Sequence, residues 1–122
     1  MSDLDTLITR VKTVGGMTRA YKLGAVPGAP ATPYAVLSLD TGAPMGARVG
    51  GQEGKLYRLA VQCFGTTDDA VRDMADRADT AFRSKTLTEL PGTPFSRREI
   101  AATMVRDPDA GGLLGLIHTY KF

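Results

Sequence analysis

The chain has 122 residues, 43% of them apolar and 23% charged, with a formal net charge of +2. That size and composition describe one ordinary globular domain, spanning residues 1–122, and exclude a disordered or fibrous chain. The small net charge excludes the strong basic footprint of a general nucleic-acid binder, and a single cysteine and a single histidine exclude an internal disulfide framework and a cysteine-rich zinc site.

The N-terminal stretch MSDLDTLITR is acidic and amphipathic, unlike a signal peptide. Ser2 is placed to cap a helix, with Asp5 three residues on as a loose capping box. Leu4, Leu7, Ile8 and Val11 recur at the spacing of one helical face, and Gly15 and Gly16 stop the helix. Met17 to Leu23 alternates weakly, with Met17, Arg19, Tyr21 and Leu23 on one face, and reads as a first strand. The prolines at 27, 30 and 33 make the next stretch a connecting loop.

YAVLSLD, residues 34 to 40, is a strand with apolar residues on both faces, which predicts a central position. Residues 42 to 55 hold five glycines and one proline, and read as a long loop or the tip of an extended hairpin. Leu56 to Phe64 gives the clearest alternation: Tyr57, Leu59, Val61 and Cys63 against Arg58, Ala60 and Gln62. Gly65 ends this strand, and Thr66 with Asp69 is the expected N-cap and capping-box pair of a helix over about 67–85. That helix has an apolar stripe of Ala70, Val71, Met74, Ala75, Ala78, Ala81 and Phe82. On its other side Asp73–Arg77 and Asp79–Arg83 are spaced as i, i+4 ion pairs, while Arg83 and Lys85 suit its C-terminal end.

TLTELPGTPFS is a turn-rich connection, Glu99 to Arg106 a strand, DPDAGG a turn and Leu113 to Lys121 a closing antiparallel strand. The predicted fold is α+β: a single mostly antiparallel sheet with an N-terminal helix and one longer central helix packed on it.

Candidate chemistry is sparse. Cys63 precedes a helix N-terminus, where a thiol can be activated, and His118 is its one conceivable imidazole partner. Both sit on apolar strand faces, which favours core packing. The acidic set Asp68, Asp69, Asp73, Asp76 and Asp79 follows the cap and the solvent face of the helix, so no metal site is expected. GARVGG lacks the lysine and hydroxyl residue of a phosphate-binding loop. Arg48, Arg58, Arg97 and Arg98 could form a local basic patch without making a base-reading surface. No catalytic, cofactor-binding or metal-binding residue is expected, and the alternative of a small cysteine-dependent enzyme rests on Cys63 and His118 alone.

LYRLAVQCFGTTDDAVRDMADRADTAF, residues 56 to 82, resembles the central segment of the tail terminator (tail completion) proteins of long-tailed bacteriophages. The residues that carry the resemblance are Tyr57, Val61, Gln62, Phe64, Gly65, Thr67, Asp69, Ala70, Ala75, Ala78 and Phe82. The flanking PYAVLSLD and the terminal IHTYKF agree in order. The resemblance implies a structural virion protein, not an enzyme, that acts without a cofactor. It implies a hexameric ring on the head-proximal end of the tail tube, which ends tube growth and offers a surface for joining the head. Its implied partners are its own copies, the tail tube protein and the connector or neck proteins. DNA would pass through the lumen without sequence-specific binding, and no membrane would be involved. A head–tail connector or stopper of the neck is the alternative within the same class. Assembly would take place in the host cytoplasm and residence would be in the virion. Met45, Arg48, Val49, Gln52 and Glu53, in the glycine-rich loop, are candidates for contact with tube or neck proteins.

Overall fold

Hydrophobic alternation sets the architecture. The computed structural model describes residues 3–28, 30–44, 55–90, 92–101, 104–107 and 112–122. The elements in chain order are α1 (Asp3–Thr13), β1 (Ala20–Lys22), β2 (Tyr34–Pro44), β3 (Lys55–Gly65), α2 (Asp68–Phe82), β4 (Lys85–Thr86), β5 (Phe95–Ala101), β6 (Val105–Asp107) and β7 (Leu113–Lys121). The strands form one seven-stranded sheet in the order β1-β2-β3-β7-β5-β4, with β6 also on β7. Among the described residues, β1 pairs in parallel with β2 and the other pairs are antiparallel. This is the α+β fold that the patterning predicts.

The register lines up residues three abreast on the helix-covered face. Ala35, Cys63 and Leu116 form one row, and Leu37, Val61 and His118 the next. A third row is Leu39, Leu59 and Tyr120. These rows meet Leu7 and Val11 of α1 and Val71, Met74, Ala75, Ala78, Ala81 and Phe82 of α2 in the main core. Stripe and sheet rows bury each other, which offsets the cost of ordering two helices too short to persist alone. The opposite face carries a smaller cluster of Tyr34, Val36 and Phe64, with Tyr21, Val26 and Leu113 partly buried against it.

The helices are tied together by two arginines. Arg10 Nε donates to the Ala81 carbonyl at 2.7 Å, and Arg77 Nη1 donates to the Gly16 carbonyl at 2.8 Å. Gly15 lets this corner close: a Cβ there would lie 2.5 Å from the Arg77 carbonyl oxygen and 2.7 Å from that of Val11. Arg10 Nη1 also donates to both Glu89 carboxylate oxygens, at 2.7 and 2.9 Å. This contact is the main cause holding the Glu89 carboxyl below its ordinary 4.5.

Several expectations are corrected. The first strand is only Ala20–Lys22, and Ala20 is its buried residue, while Leu23 is 67% exposed. The N-cap of α2 is Thr67, not Thr66: its extended backbone aims the hydroxyl at the Ala70 N–H, 3.2 Å away. The helix ends at Phe82, so Arg83 is its C-cap and Lys85 lies in β4. The strand expected over Glu99–Arg106 begins at Phe95 and is divided into β5 and β6, both laid along β7. The turn-rich connection before it hides two core residues, Leu87 and Leu90.

Candidate functional site

Where α2 crosses β7 and β5, four polar side chains meet at the border of the apolar core. Asp79 comes from α2, Arg98 from β5, and His118 and Tyr120 from β7. Strand alternation puts His118 and Tyr120 on the same, helix-covered face. On the helix, Asp79 lies four residues after Ala75 and three before Phe82, at the border of the buried stripe. Its side chain is only 16% exposed.

The Asp79 carboxylate is the hub. The Tyr120 hydroxyl donates to its Oδ1 at 2.5 Å, and Arg98 Nη1 donates to its Oδ2 at 2.9 Å. His118 Nδ1 lies 3.2 Å from Oδ1 and 3.3 Å from the Tyr120 oxygen. A carboxylate offers no proton, so the geometry calls for the Nδ1–H tautomer, with Nδ1 as donor. Arg83, the expected i, i+4 partner, is 4.0 Å away, at the outer limit of an ion pair.

Burial dominates the protonation states here. It holds the His118 imidazole below its ordinary 6.5, against the opposing attraction of Asp79. Burial also raises the Tyr120 hydroxyl, reinforced by its bond to Asp79, so it stays protonated. Cys63, fully buried, is pushed up to about 12, first by burial and then by the negative charge of Asp79. A thiol so placed is a core filler, the reverse of an activated nucleophile. His118 turns Nδ1 to Asp79 and Tyr120, and Cys63 pairs in register with Leu116. The two candidate catalytic residues therefore share a face without forming a nucleophile–base pair. The network is built to fix a helix to a sheet.

The other candidates resolve differently. Met45, Arg48, Val49, Gln52 and Glu53 lie outside the described residues. The strands on either side of them, β2 and β3, pair antiparallel, with Pro44 opposite Lys55. Among the described residues, no group of three acidic, histidine or cysteine side chains is arranged to hold a metal ion. Of the expected basic patch, Arg58 pairs with Glu99 at 3.2 Å and Arg98 with Asp79, while Arg97 lies 5.5 Å over the Phe95 ring and keeps its charge; Arg48 lies outside the described residues. Among the described residues, no helix is long and apolar enough to cross a membrane.

Sequence reasoning missed Asp79, Arg98 and Tyr120 as one unit. The position of Asp79 beside the apolar stripe was the available signal, and the ion-pair spacing to Arg83 masked it.

Comparison with known proteins supplies the context for this architecture. No curated protein matches the chain. Among solved structures, a chain of the virion of a native gene transfer agent (GTA) particle superposes with a TM-score of 0.68 at 16% identity, covering 91% of this chain and 81% of that one. At that identity the likeness shows a shared fold. The family model of tail completion protein gp17 matches residues 7–118, from the core leucine of α1 to the histidine of the Asp79 node. The chain thus belongs to the tail completion protein gp17 family and is a structural tail protein of the bacteriophage virion.

Proposed function

We propose that residues 1–122 form one tail-terminator unit that assembles into a closed ring, of about six copies as the resemblance implies, on the head-proximal end of the tail tube. There it stops tube growth and presents the surface on which the head is joined. The observation that carries this reading is the family match across residues 7–118.

The surface is compatible with the role. Both ends of the sheet are short strands, β1 and β4, and β6 flanks β7 for three residues. Exposed apolar residues accompany these margins: Leu23 at 67%, Val105 at 60% and Phe95 at 46%. Head-to-tail contacts between unlike edges generate a ring when the rotation closes. The sheet face away from the helices sets Ser38, Ala60 and Thr119 beside Val36, Gln62 and Ile117, and the next row on that face brings Asp40, Arg58, Lys121 and Arg97 together.

Particle mass across a concentration series, with negative-stain images of the same samples and of mixtures with purified tail tubes, tests the proposal. Closed rings, or density at one tube end, are the expected result. A chain that attaches to the portal side and ignores tube ends is instead a connector of the neck. Deleting residues 44–53 is expected to spare folding and weaken attachment; unchanged attachment removes the loop from the contact.

A further inference from the structure

The sheet face away from the helices changes character along its strands. At one end Tyr34, Val36 and Phe64 form the smaller apolar cluster. At the other, the register sets Arg58 of β3, Lys121 of β7 and Arg97 of β5 directly abreast, with Asp40 of β2 on the outer side of Arg58. Paired residues on adjacent antiparallel strands stand about 4.5–5.5 Å apart, and like charges directly opposite each other destabilise a sheet. One carboxylate relieves this row: Glu99 pairs with Arg58 at 3.2 Å. Lys121 and Arg97, side by side, have no carboxylate partner among the described residues. Arg97 lies instead over the exposed Phe95 ring, which orients the guanidinium without cancelling its charge.

A row of opposed cations costs the isolated chain stability, and negative charge brought from outside removes that cost. The neighbouring side chains favour one form of that charge. The next row on this face is Ser38, Ala60 and Thr119, small residues that leave room for a rod lying across the strands, two of them with hydroxyl donors. Arginine, lysine and hydroxyl side chains are the common donors to phosphate oxygens of nucleic acid, and the planar guanidinium fork matches phosphate geometry. An acidic protein segment would also need apolar anchors, and the exposed ring at this end, Phe95, already lies under Arg97. We propose that this end of the sheet face, centred on Lys121 and Arg97, binds the phosphate backbone of duplex DNA without reading its sequence. Two unpaired cations make such a contact weak and salt-sensitive, in keeping with the net charge of +2. The recognition chemistry stands on the row alone; only the source of the DNA, the genome of the virion, rests on the structural tail role.

The full chain, labelled with ¹⁵N, is titrated at low salt with a short DNA duplex, and in parallel with a second duplex of unrelated sequence. The expected result is a saturable set of amide shifts gathered on Arg58, Arg97, Thr119 and Lys121, the same for both duplexes, with α1 and α2 unmoved. Each phosphate contact contributes about −0.9 to the slope of log affinity against log salt, so Arg97→Gln with Lys121→Gln should flatten that slope by about 1.8. The urea midpoint of this double variant should not fall, because the row loses like-charge repulsion. Lys12→Gln with Arg72→Gln takes the same charge from α1 and α2 and should leave the slope unchanged. No saturable shifts, shifts centred on the helices, or equal loss in the two double variants overturns the proposal. Poly-glutamate that displaces the duplex at matched charge assigns the row to an acidic protein surface and overturns the DNA partner. These readouts use the free chain, so their failure is separate from a failure to form rings or to attach to tubes.

Discussion

Asp73 and Asp79 look alike in the sequence and are opposites in the structure. Each stands on α2 with an arginine four residues on. Asp73 pairs with Arg77 at 2.9 Å on the surface, where both side chains are more than 40% exposed. Asp79 turns inward, loosens from Arg83 and gathers Arg98, His118 and Tyr120 from strands 19 to 41 residues away. Spacing along a helix reports which side chains could meet on that helix. It does not report what the sheet brings underneath.

The energetic contrast should be large. An exposed ion pair contributes about 0.2–1 kcal/mol, so Asp73→Ala is expected to shift stability by less than about 1 kcal/mol. Removing the Asp79 carboxylate strands a buried hydroxyl, a buried imidazole and a half-buried guanidinium, and breaking a buried charge pair costs about 3–5 kcal/mol. Asp79→Ala should therefore lose roughly 3 kcal/mol or more in urea unfolding. Equal effects of the two substitutions would erase the distinction between them.

Tyr120→Phe sharpens the same contrast by deleting one donor. A hydrogen bond to a charged group contributes about 1.5–3 kcal/mol, and the expected loss lies in that range. Cys63, in the row below the node, is a packing residue. Cys63→Ser places a hydroxyl in an apolar site and should cost about 1–3 kcal/mol with assembly retained. Its native thiol should react slowly with a thiol reagent, and fast reaction in the folded state would contradict the core assignment.

The pH profile follows from His118. Its folded pKa lies below the ordinary 6.5, lowered by burial and by Arg98 against the pull of Asp79 and Asp76. Above 6.5 it is neutral in both states and has no effect. As pH falls from 6.5 towards the folded value, the unfolded chain takes up a proton that the folded chain resists, so stability declines. His118→Gln should flatten the decline in that window. Glu89 acts at lower pH: its stabilisation is present above 4.5 and is lost as pH falls through its depressed folded value. An unchanged slope between pH 7 and 5 in His118→Gln would separate the node from the titration.

The smallest effect distinguishes two adjacent threonines. Thr67→Ala removes the hydroxyl that caps α2 and should cost about 1 kcal/mol, whereas Thr66→Ala should stay within about 0.5 kcal/mol. Both residues have the right chemistry, and the choice between them depends on the φ and ψ with which the chain leaves Gly65, which the sequence pattern does not encode.

That case marks how far the sequence was readable. Strict alternation located the Leu56–Phe64 strand within a residue at each end, and the turn before it marked the closing strand Leu113–Lys121. The short edge strands were harder: β1 and β4 draw their existence from pairing, not from an apolar pattern of their own. Leu87 and Leu90 were hidden in a turn-rich segment, since local turn chemistry says nothing about which side chains fold back into the core. The polar node was the least visible feature, because its members are joined only by tertiary contact.

The most direct test of the tail role is tube elongation. Tail tube protein is polymerised, the purified chain is added partway, and tube lengths are measured by electron microscopy. In the proposed role, lengths stop increasing and one end of each tube carries added density. Continued growth at the same rate, with undecorated ends, would contradict it.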